Sequence, residues 1–455
     1  MRPLPYLLVV LLLLTSLVAD SQNLTDLKDR EIVFRGVNVI PMDQERVLTN
    51  QNVVVRNGKI AAITPAAQTT YKQDALVVEA RGKYLIPGLA EMHAHVPPVD
   101  DMDPIKEVLT LFITNGVTTI RGMLGHPRHL DVRERLKKGE LLGPHLYSTG
   151  PSFNGYSVKI PSQGAEMVRA QKQAGYDYLK LHPGLTRQNF ESVAKTAKEV
   201  GIPFVGHVSH EVGVWRAIDA GYSSIDHLDG FIEGMVPGIE SMNEQQIGLF
   251  GMYIADKADR SQMPKLMQAL KDKKVWVVPT QALAERWLSP IAPEELNNAP
   301  EMVYMNAQTR NNWVKTKQDL QANPSYNKAK INDYLKLRRD LIKACQQNGV
   351  GLLLGSDGPQ VFNVPGFSVH HELQYLVDSG LTPYQALQTG TVNVAQYLGR
   401  SDMGTIAVGK EADLVLLEGN PLQDIGQTRR IEGVLLDSRW LPKDFIQNEL
   451  KKLAK

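Results

Sequence analysis

The sequence contains very little cysteine and no excess of charge. Cys345 is the only cysteine in 455 residues, which excludes an internal disulfide. Fifty basic residues against 49 acidic ones give a net charge of +1, and no long run of one sign occurs. This balance argues against nucleic acid or a charged membrane surface as a partner. The fold must therefore be held by packing, with or without a bound metal.

Only one apolar stretch is long enough to suggest targeting, and it lies near the N-terminus. Residues 6–19 are apolar, follow Arg2 and precede small residues. The stretch is shorter than the ~20 residues of a membrane-spanning helix and fits the apolar region of a signal peptide. We predict a signal peptide over residues 1–21, no stable membrane span after cleavage, and a periplasmic or secreted protein. An uncleaved anchor is the alternative.

The rest of the chain changes its pattern twice. Residues 22–86 contain short alternating runs with turn residues between them, such as Asn57-Gly58, and this pattern predicts antiparallel strands. Residues 87–402 alternate strand and helix patterns with eight strand candidates, which predicts an α/β fold with a (β/α)8 TIM-type barrel. Residues 403–455 return to short β runs. Both chain ends are therefore expected to build one small β lobe, and the helical insertion 284–340 is a candidate lid.

Histidine is scarce, with 11 in the whole chain, yet two stand one residue apart in EMHAHV. Alternate side chains of a β-strand point to the same face, so His93 and His95 project together, about 6.6 Å apart along the strand. Two imidazoles at this separation can close on a single metal ion. The pair alone is moderate evidence for a metal site.

Further ligand-type side chains stand at the ends of other predicted strands. Lys180 ends the fourth strand, His207 the fifth, His227 the sixth and Asp357 the eighth. In a barrel, the C-terminal strand ends converge on one mouth, where such enzymes carry their chemistry. Imidazole and carboxylate groups suit Zn²⁺ or a similar divalent ion. The sequence therefore predicts a metal site at this mouth.

The stretches around these residues resemble the amidohydrolase superfamily, in particular its imidazolonepropionase-like and prolidase-like branch. The stretches that carry the resemblance are PGLAEMHAHV, VGHVSHEVGVWRAIDAGYSSIDHLDG, HHELQYLVDSGLTPYQALQTGTVNVAQYLG and MGTIAVGKEADLVLLEGNP. The resemblance spans residues 31–435, except 284–340, and departs from the family at Gly122, where many relatives have an acidic residue. It implies a metal-dependent hydrolase built on a barrel with a small β-sandwich lobe.

The resemblance also implies a site with two zinc ions. The implied ligands are His93, His95, Lys180, His207, His227 and Asp357. The histidines of EMHAHV and Asp357 would hold the first ion, the other two histidines the second, and Lys180 would bridge both as a carbamate formed with CO₂. A carboxylated lysine has the charge and oxygens that an ammonium lacks. Lys180 as an ordinary lysine beside a single ion, and Asp357 as a helix N-cap, remain alternatives.

The expected roles extend to catalysis and substrate binding. Asp357 would accept the proton of a metal-activated water and pass it to the leaving amine. The expected substrate contacts are His182, His210, His370 and Arg121. Each has a structural alternative: His182 as support for a ligand or as a helix cap, the two loop histidines as solvated groups, and Arg121 in an ion pair with a neighbouring acid.

The function that we expect is hydrolysis of the C–N bond in a dipeptide or an N-acyl amino acid by an exported enzyme. The alternatives are hydrolysis of a lactone, another ester or a cyclic amide at the same site. A different class is a binding protein that kept the barrel and lost the chemistry, but all six ligand positions hold competent residue types. The expected partner is a small molecule, and relatives of the family are often oligomers.

Overall fold

The computed structural model of the protein describes residues 30–68 and 71–455. The predicted signal peptide lies outside the described residues. Among the described residues, no helix combines the length and the apolar character needed to cross a membrane.

Strands from both ends of the chain share one mixed sheet of eight strands. These strands are β1 (Ile32–Val39), β2 (Leu48–Arg56), β3 (Lys59–Pro65), β4 (Leu76–Glu79), β5 (Tyr84–Pro87), β13 (Leu414–Leu417), β14 (Ile431–Leu436) and β15 (Arg439–Pro442). Their order is β15-β14-β13-β5-β1-β2-β3, with β4 pairing with β1. The predicted turn at Asn57-Gly58 is confirmed, because β2 and β3 are antiparallel and Arg56 pairs with Lys59. The Phe34 ring packs edge-on against Trp440 at 5.2 Å, joining the first and last strands.

Between these ends lie seven short parallel strands in two sheets. The first sheet contains β6 (Leu89–Ala94), β7 (Val117–Gly122) and β8 (His145–Ser148); the second contains β9 (Leu179–Leu181), β10 (Phe204–Gly206), β11 (Ser224–Asp226) and β12 (Trp276–Val278). The helices are α1 (Met102–Thr114), α2 (Arg128–Lys137), α3 (Pro161–Ala174), α4 (Arg187–Val200), α5 (Val214–Ala220), α6 (Glu244–Ile247), α7 (Met263–Asp272), α8 (Gln281–Leu283), α9 (Pro293–Asn297), α10 (Ala307–Ala322), α11 (Lys328–Asn348), α12 (Phe367–Asp378), α13 (Pro383–Thr389), α14 (Val392–Tyr397) and α15 (Lys443–Leu453). Strands and helices alternate from β6 onward, as the sequence predicts.

Backbone hydrogen bonds join the two parallel sheets on both sides. On one side, Asp177 N donates to Ser148 O over 2.9 Å. On the other side, Leu353 N donates to Val277 O over 2.9 Å, and Met92 N donates to Leu354 O over 2.8 Å. The segment 352–354 thus lies between β12 and β6, at the place expected for the eighth strand.

The predicted eighth strand is not a regular strand. Only Leu352 forms a bridge, with Val277. Beyond Leu352, hydrogen bonds to a side chain take the place of the backbone hydrogen bonds between strands. The buried carboxylate of Glu91 accepts hydrogen bonds from Ser356 N (2.8 Å) and Ser356 Oγ (2.5 Å). The same carboxylate accepts a bond from His93 N over 2.9 Å. Glu91 therefore joins β6 directly to the segment that carries Asp357.

Helix α4 shows how local sequence sets the elements around the strands. Thr186 caps its N-terminus by accepting a hydrogen bond from Asn189 N, and Gly201 ends it in the left-handed region. Its buried face includes Phe190, Val193 and Ala197 at helical spacing. The segment 284–340 is largely helical, with a π-helix at Ala284–Leu288 followed by α9, α10 and most of α11.

His145, at the start of β8, connects the parallel strands with the mixed sheet. Its Nε2 lies 2.9 Å from Asp413 Oδ2 and 3.8 Å from Asp437 Oδ1. Burial disfavours the charged imidazolium, but the hydrogen bond and the charge of Asp413 prevail and raise the pKa of His145 to about 9. This ion pair therefore persists through neutral pH.

We expect His145→Gln to remove a pH-dependent part of the stability. Since the folded pKa is about 9 and that of an unfolded imidazole is about 6.5, the contribution is complete below about pH 6.5 and is lost as the pH rises through about 9. At pH 6 the wild type should exceed the variant by on the order of 2 kcal/mol in free energy of unfolding, less than the full shift implies because the imidazole is partly exposed. Urea unfolding at pH 6 and pH 10 measures this difference, and a gap of equal size at both values would contradict it.

Candidate metal centre and active site

Two histidines and an aspartate meet at the junction of the first and last parallel segments. His93 lies on β6, His95 directly follows it, and Asp357 follows the segment held by Glu91. Asp357 Oδ1 lies 3.0 Å from His95 Nε2 and 3.5 Å from His93 Nε2. Burial lowers the pKa of His95 to about 3, so this imidazole is neutral at pH 7, as a metal ligand must be.

Two further histidines from neighbouring strands complete a group of four imidazoles. His207 directly follows β10, and His227 directly follows β11 with a positive φ of 64°. The ring centroid of His227 lies 4.4 Å from those of both His93 and His207. The strand ends therefore converge as the sequence predicts.

Lys180 lies on β9, beneath the imidazoles and fully buried. Its Nζ is 3.3 Å from His93 Nε2. Gly206 makes room for it, because a Cβ at Gly206 would lie 2.9 Å from Lys180 Cδ. Burial lowers the pKa of Lys180 to about 8, so the neutral amine is more accessible near physiological pH than that of an exposed lysine.

The Nδ1 atoms of three histidines face oxygen atoms of neighbouring residues. Asp229 Oδ2 is 3.0 Å from His207 Nδ1, and Thr280 Oγ1 is 2.8 Å from His227 Nδ1. Asp226 Oδ2 lies 2.8 Å from His93 Nδ1, an ion-pair contact that is not aligned as a hydrogen bond. Such partners orient a ligating imidazole and leave its Nε2 for a metal.

Sequence reasoning missed these three residues whose oxygen atoms contact the imidazoles. The stretch SSIDHLDG places Asp226 and Asp229 beside His227, and this was the available signal. However, Asp226 faces His93 and Asp229 faces His207, each on another strand. Thr280, which faces His227, had no signal because it lies 53 residues along the chain.

The described residues fit a bound divalent cation. One potential ligand atom from each of His93, His227 and Asp357 lies within 4.8 Å of the others. His227 Nε2 and Asp357 Oδ1 are buried and have no hydrogen-bond partner among the described residues, a costly arrangement unless another group binds there. Neutral imidazoles and a carboxylate are ligands of Zn²⁺ and related ions.

A cavity of about 1190 Å³ opens onto this centre. The histidine and carboxylate side chains that line the cavity include His93, His95, His182, His207, His210, His227 and Asp357. Two predicted substrate contacts, His182 and His210, thus border the cavity, and the His182 ring stacks on His207 at 4.9 Å. Their contact with substrate remains a prediction.

The other two predicted substrate contacts require correction. Arg121 is completely buried, donates hydrogen bonds to Met92 O and Ser224 Oγ, and pairs with Asp226 at 3.2 Å. The ion-pair alternative therefore holds, because Asp226 binds Arg121 on one side and contacts His93 on the other. His370 lies within α12 rather than on a loop, and its Nδ1 is 3.0 Å from Thr428 Oγ1. Neither residue lines the cavity.

The sequence profile of the amidohydrolase family matches residues 84–441. This chain belongs to the amidohydrolase family. It is therefore a metal-dependent hydrolase of carbon–nitrogen bonds, as the sequence predicts. Among curated proteins, ochratoxinase of Aspergillus niger is similar, with 23% identity over 88% of this chain and 84% of that protein.

Two solved structures are similar to this amidohydrolase over nearly its whole length. Bottromycin amidohydrolase has a TM-score of 0.69 and 22% identity, over 95% of this chain and 93% of that one. A Xaa-Pro dipeptidase with bound methionine in its active site has a TM-score of 0.66 and 18% identity, over 90% and 100% of the two chains. At these identities the likeness concerns the fold, and it implies a TIM-type barrel for the α/β part.

Proposed function

We propose that this amidohydrolase is an exported enzyme that hydrolyses the amide bond of a dipeptide or an N-acyl amino acid. The observation that carries the proposal is the convergence of four imidazoles and one carboxylate on the wall of a single cavity, with the buried amine of Lys180 3.3 Å from His93 Nε2. Similarity to a Xaa-Pro dipeptidase and to bottromycin amidohydrolase supports an amide substrate. The apolar stretch at residues 6–19 supports export.

The architecture proposed for this function is a closed (β/α)8 barrel over residues 87–402 with a small β-sandwich lobe. The lobe would comprise residues 22–86 and 403–455, and the mixed sheet of both chain ends supports their association. The hydrogen bonds of Met92 and Leu353 across the seam support closure of the barrel. Within the insertion 284–340, Trp287 and Leu320 line the cavity, which supports a covering role.

The proposed cofactor is a pair of zinc ions. His93, His95 and Asp357 would hold one ion, His207 and His227 the other, and carboxylated Lys180 would bridge them. When bound, such ions lower the pKa of water and polarise a carbonyl group. The contribution of the chain is to keep the imidazoles neutral by burial and to orient them through Asp226, Asp229 and Thr280.

Carboxylation of Lys180 is supported by the state of its amine. A neutral amine adds to CO₂ through its lone pair, which forms an N–C bond and releases one proton. Because burial lowers the pKa of Lys180 to about 8, this nucleophilic form is accessible at neutral pH. The product is an anion with two oxygens, which replaces the unfavourable burial of an ammonium beside His93.

Asp357 is the proposed proton carrier of the reaction. Its Oδ1 accepts no hydrogen bond among the described residues and its carboxylate borders the cavity. It would take the proton from the attacking water and deliver it to the nitrogen of the leaving amine, first as a base and then as an acid. His182 and His210 would contact the substrate from the cavity wall.

The test combines metal analysis with a substrate panel. The protein is purified with and without added bicarbonate, its zinc content is measured, and its activity is recorded on dipeptides, N-acyl amino acids and lactones. We expect two zinc ions per chain with bicarbonate, fewer without it, and turnover of amides in proportion to metal content. Preferred turnover of lactones would favour an esterase, and a metal-loaded protein that turns over no member of the panel would refute the proposed function.

A further inference from the structure

An aromatic side chain lies over two of the histidines of the metal centre. Phe250 belongs to a short 3₁₀ turn, Leu249–Gly251, between α6 and α7. Its ring stacks against His227 with a centroid distance of 5.1 Å and an interplanar angle of 23°. It also lies nearly parallel to His207, at 6.1 Å and 14°. Phe250 is half-buried and lines the cavity, so part of its ring faces the space that a substrate would occupy.

The backbone of Phe250 is strained. Its φ of 53° and ψ of 34° lie in the left-handed region, which is unfavourable for a bulky side chain. The surrounding turn holds this conformation: Gly248 and Gly251 also have positive φ, and a Cβ at Gly248 would lie 2.5 Å from the ring of Tyr253. A hydrogen bond from Tyr253 N to Ile247 O closes the turn over 3.1 Å. Strain of this kind persists when neighbouring contacts fix it, and it is typical of functional sites.

Buried Arg338 contacts both the ring of Phe250 and the backbone of His227, one of the proposed metal ligands. The guanidinium carbon lies 6.0 Å from the ring centroid. The same guanidinium donates hydrogen bonds to His227 O over 2.6 Å and to Pro279 O over 2.8 Å. The position of the ring is therefore fixed relative to the histidine that it covers.

We propose that Phe250 is a specificity-determining residue that packs against an aromatic or large apolar group next to the scissile amide. This inference rests on the proposed amide hydrolysis. The cavity supports it in two ways. Its volume of about 1190 Å³ exceeds the roughly 300–1,000 Å³ of common ligand pockets, and three more aromatic side chains, Trp215, Tyr253 and Trp287, line it.

The experiment compares selectivity between matched substrates. Phe250→Ala and Phe250→Leu are tested on N-acetylglycine, N-benzoylglycine, N-acetylphenylalanine and N-benzoylphenylalanine, which vary the two sides of the amide independently. We expect kcat/KM for the aromatic substrates to fall by about 10- to 100-fold, mainly through KM, and that for N-acetylglycine to change by less than about threefold. The control is Tyr156→Ala, because Tyr156 is an exposed aromatic residue that does not line the cavity; kcat/KM for all four substrates should stay within about twofold of wild type.

The zinc content of each variant is measured alongside the kinetics. The inference would be overturned by an equal loss of activity on all four substrates, by no loss on any of them, or by loss of zinc. The ring of Phe250 would then hold the metal ligands in place or have no part in substrate selection. If Phe250→Ala does not fold, Phe250→Leu alone decides. Wild-type protein that carries zinc but cleaves no amide would defeat the proposed function itself. Amide cleavage with unaltered selectivity in the variants would defeat only the role of Phe250.

Discussion

The substitution Asp357→Asn should reduce kcat by about 10²- to 10⁴-fold, the usual contribution of a general acid–base. Asparagine has the size of aspartate but cannot take up a proton from water or release one to an amine. Its carbonyl oxygen still offers one ligand atom in place of Oδ1, which lies 3.0 Å from His95 Nε2. Zinc should therefore remain largely bound while turnover of an amide substrate is lost. Steady-state kinetics and elemental analysis on one preparation measure both quantities.

The control for this variant is Asp378→Asn. Asp378 lies at the end of α12, where its carboxylate accepts a hydrogen bond from Gln374 Nε2 at the surface. This change should leave both kcat and zinc content within about twofold of wild type, as for most surface substitutions. If Asp357→Asn kept full turnover with bound zinc, another residue would have to carry the proton.

Replacing Lys180 by alanine should remove the bridge that we propose between two metal ions. We expect the zinc content to fall from two ions toward one per chain and kcat/KM to fall by at least about 100-fold, because an oriented ligand and its charge are lost together. The cavity left by the side chain is enclosed by Gly206 and His93. A small carboxylate such as formate or acetate fits such a space and supplies two bridging oxygens, so millimolar additions should restore part of the zinc and the activity.

The matched control is Lys195→Ala on the exposed face of α4, where the side chain is 79% exposed. It should bind zinc as the wild type does, respond to bicarbonate as the wild type does, and gain nothing from acetate. If Lys180→Ala retained two ions and full activity, Lys180 would be an ordinary lysine and the single-metal alternative would also need revision. If acetate raised the zinc content and activity of the wild type as much as those of Lys180→Ala, a general salt effect would explain the recovery.

The convergence of the site could be predicted because it follows from strand geometry. His93, His207 and His227 stand at or directly after strand ends, and parallel strands bring such positions to one edge. The same strand geometry predicted that Lys180 lies close to these histidines. Hydrophobic periodicity and turn residues were sufficient to predict the alternation of strands and helices and the turn at Asn57-Gly58.

What could not be predicted depends on contacts between distant segments. Asp226 lies beside a histidine in sequence but contacts His93, 133 residues earlier in the numbering, and pairs with Arg121. Because the guanidinium of Arg121 is held in this buried ion pair, it is not available for the substrate binding that we expected. The position of Phe250 over the histidines could not be predicted because it depends on a strained backbone, which propensity patterns do not reveal. His370 was misplaced because the start of α12 carries no side-chain cap that would mark it.

The bond between Glu91 and Ser356 spans 265 positions of the chain. While the protein is being synthesised, the first histidine pair leaves the ribosome long before the aspartate that faces it. A nascent chain shorter than about 357 residues therefore lacks Asp357 and the clamp that positions it. Contacts of such long range are slow to form, so the full set of proposed metal ligands comes together only after the last part of the domain has docked. A chain truncated before this seam would lack Asp357, and the strand that carries His93 would keep only β7 as a neighbour.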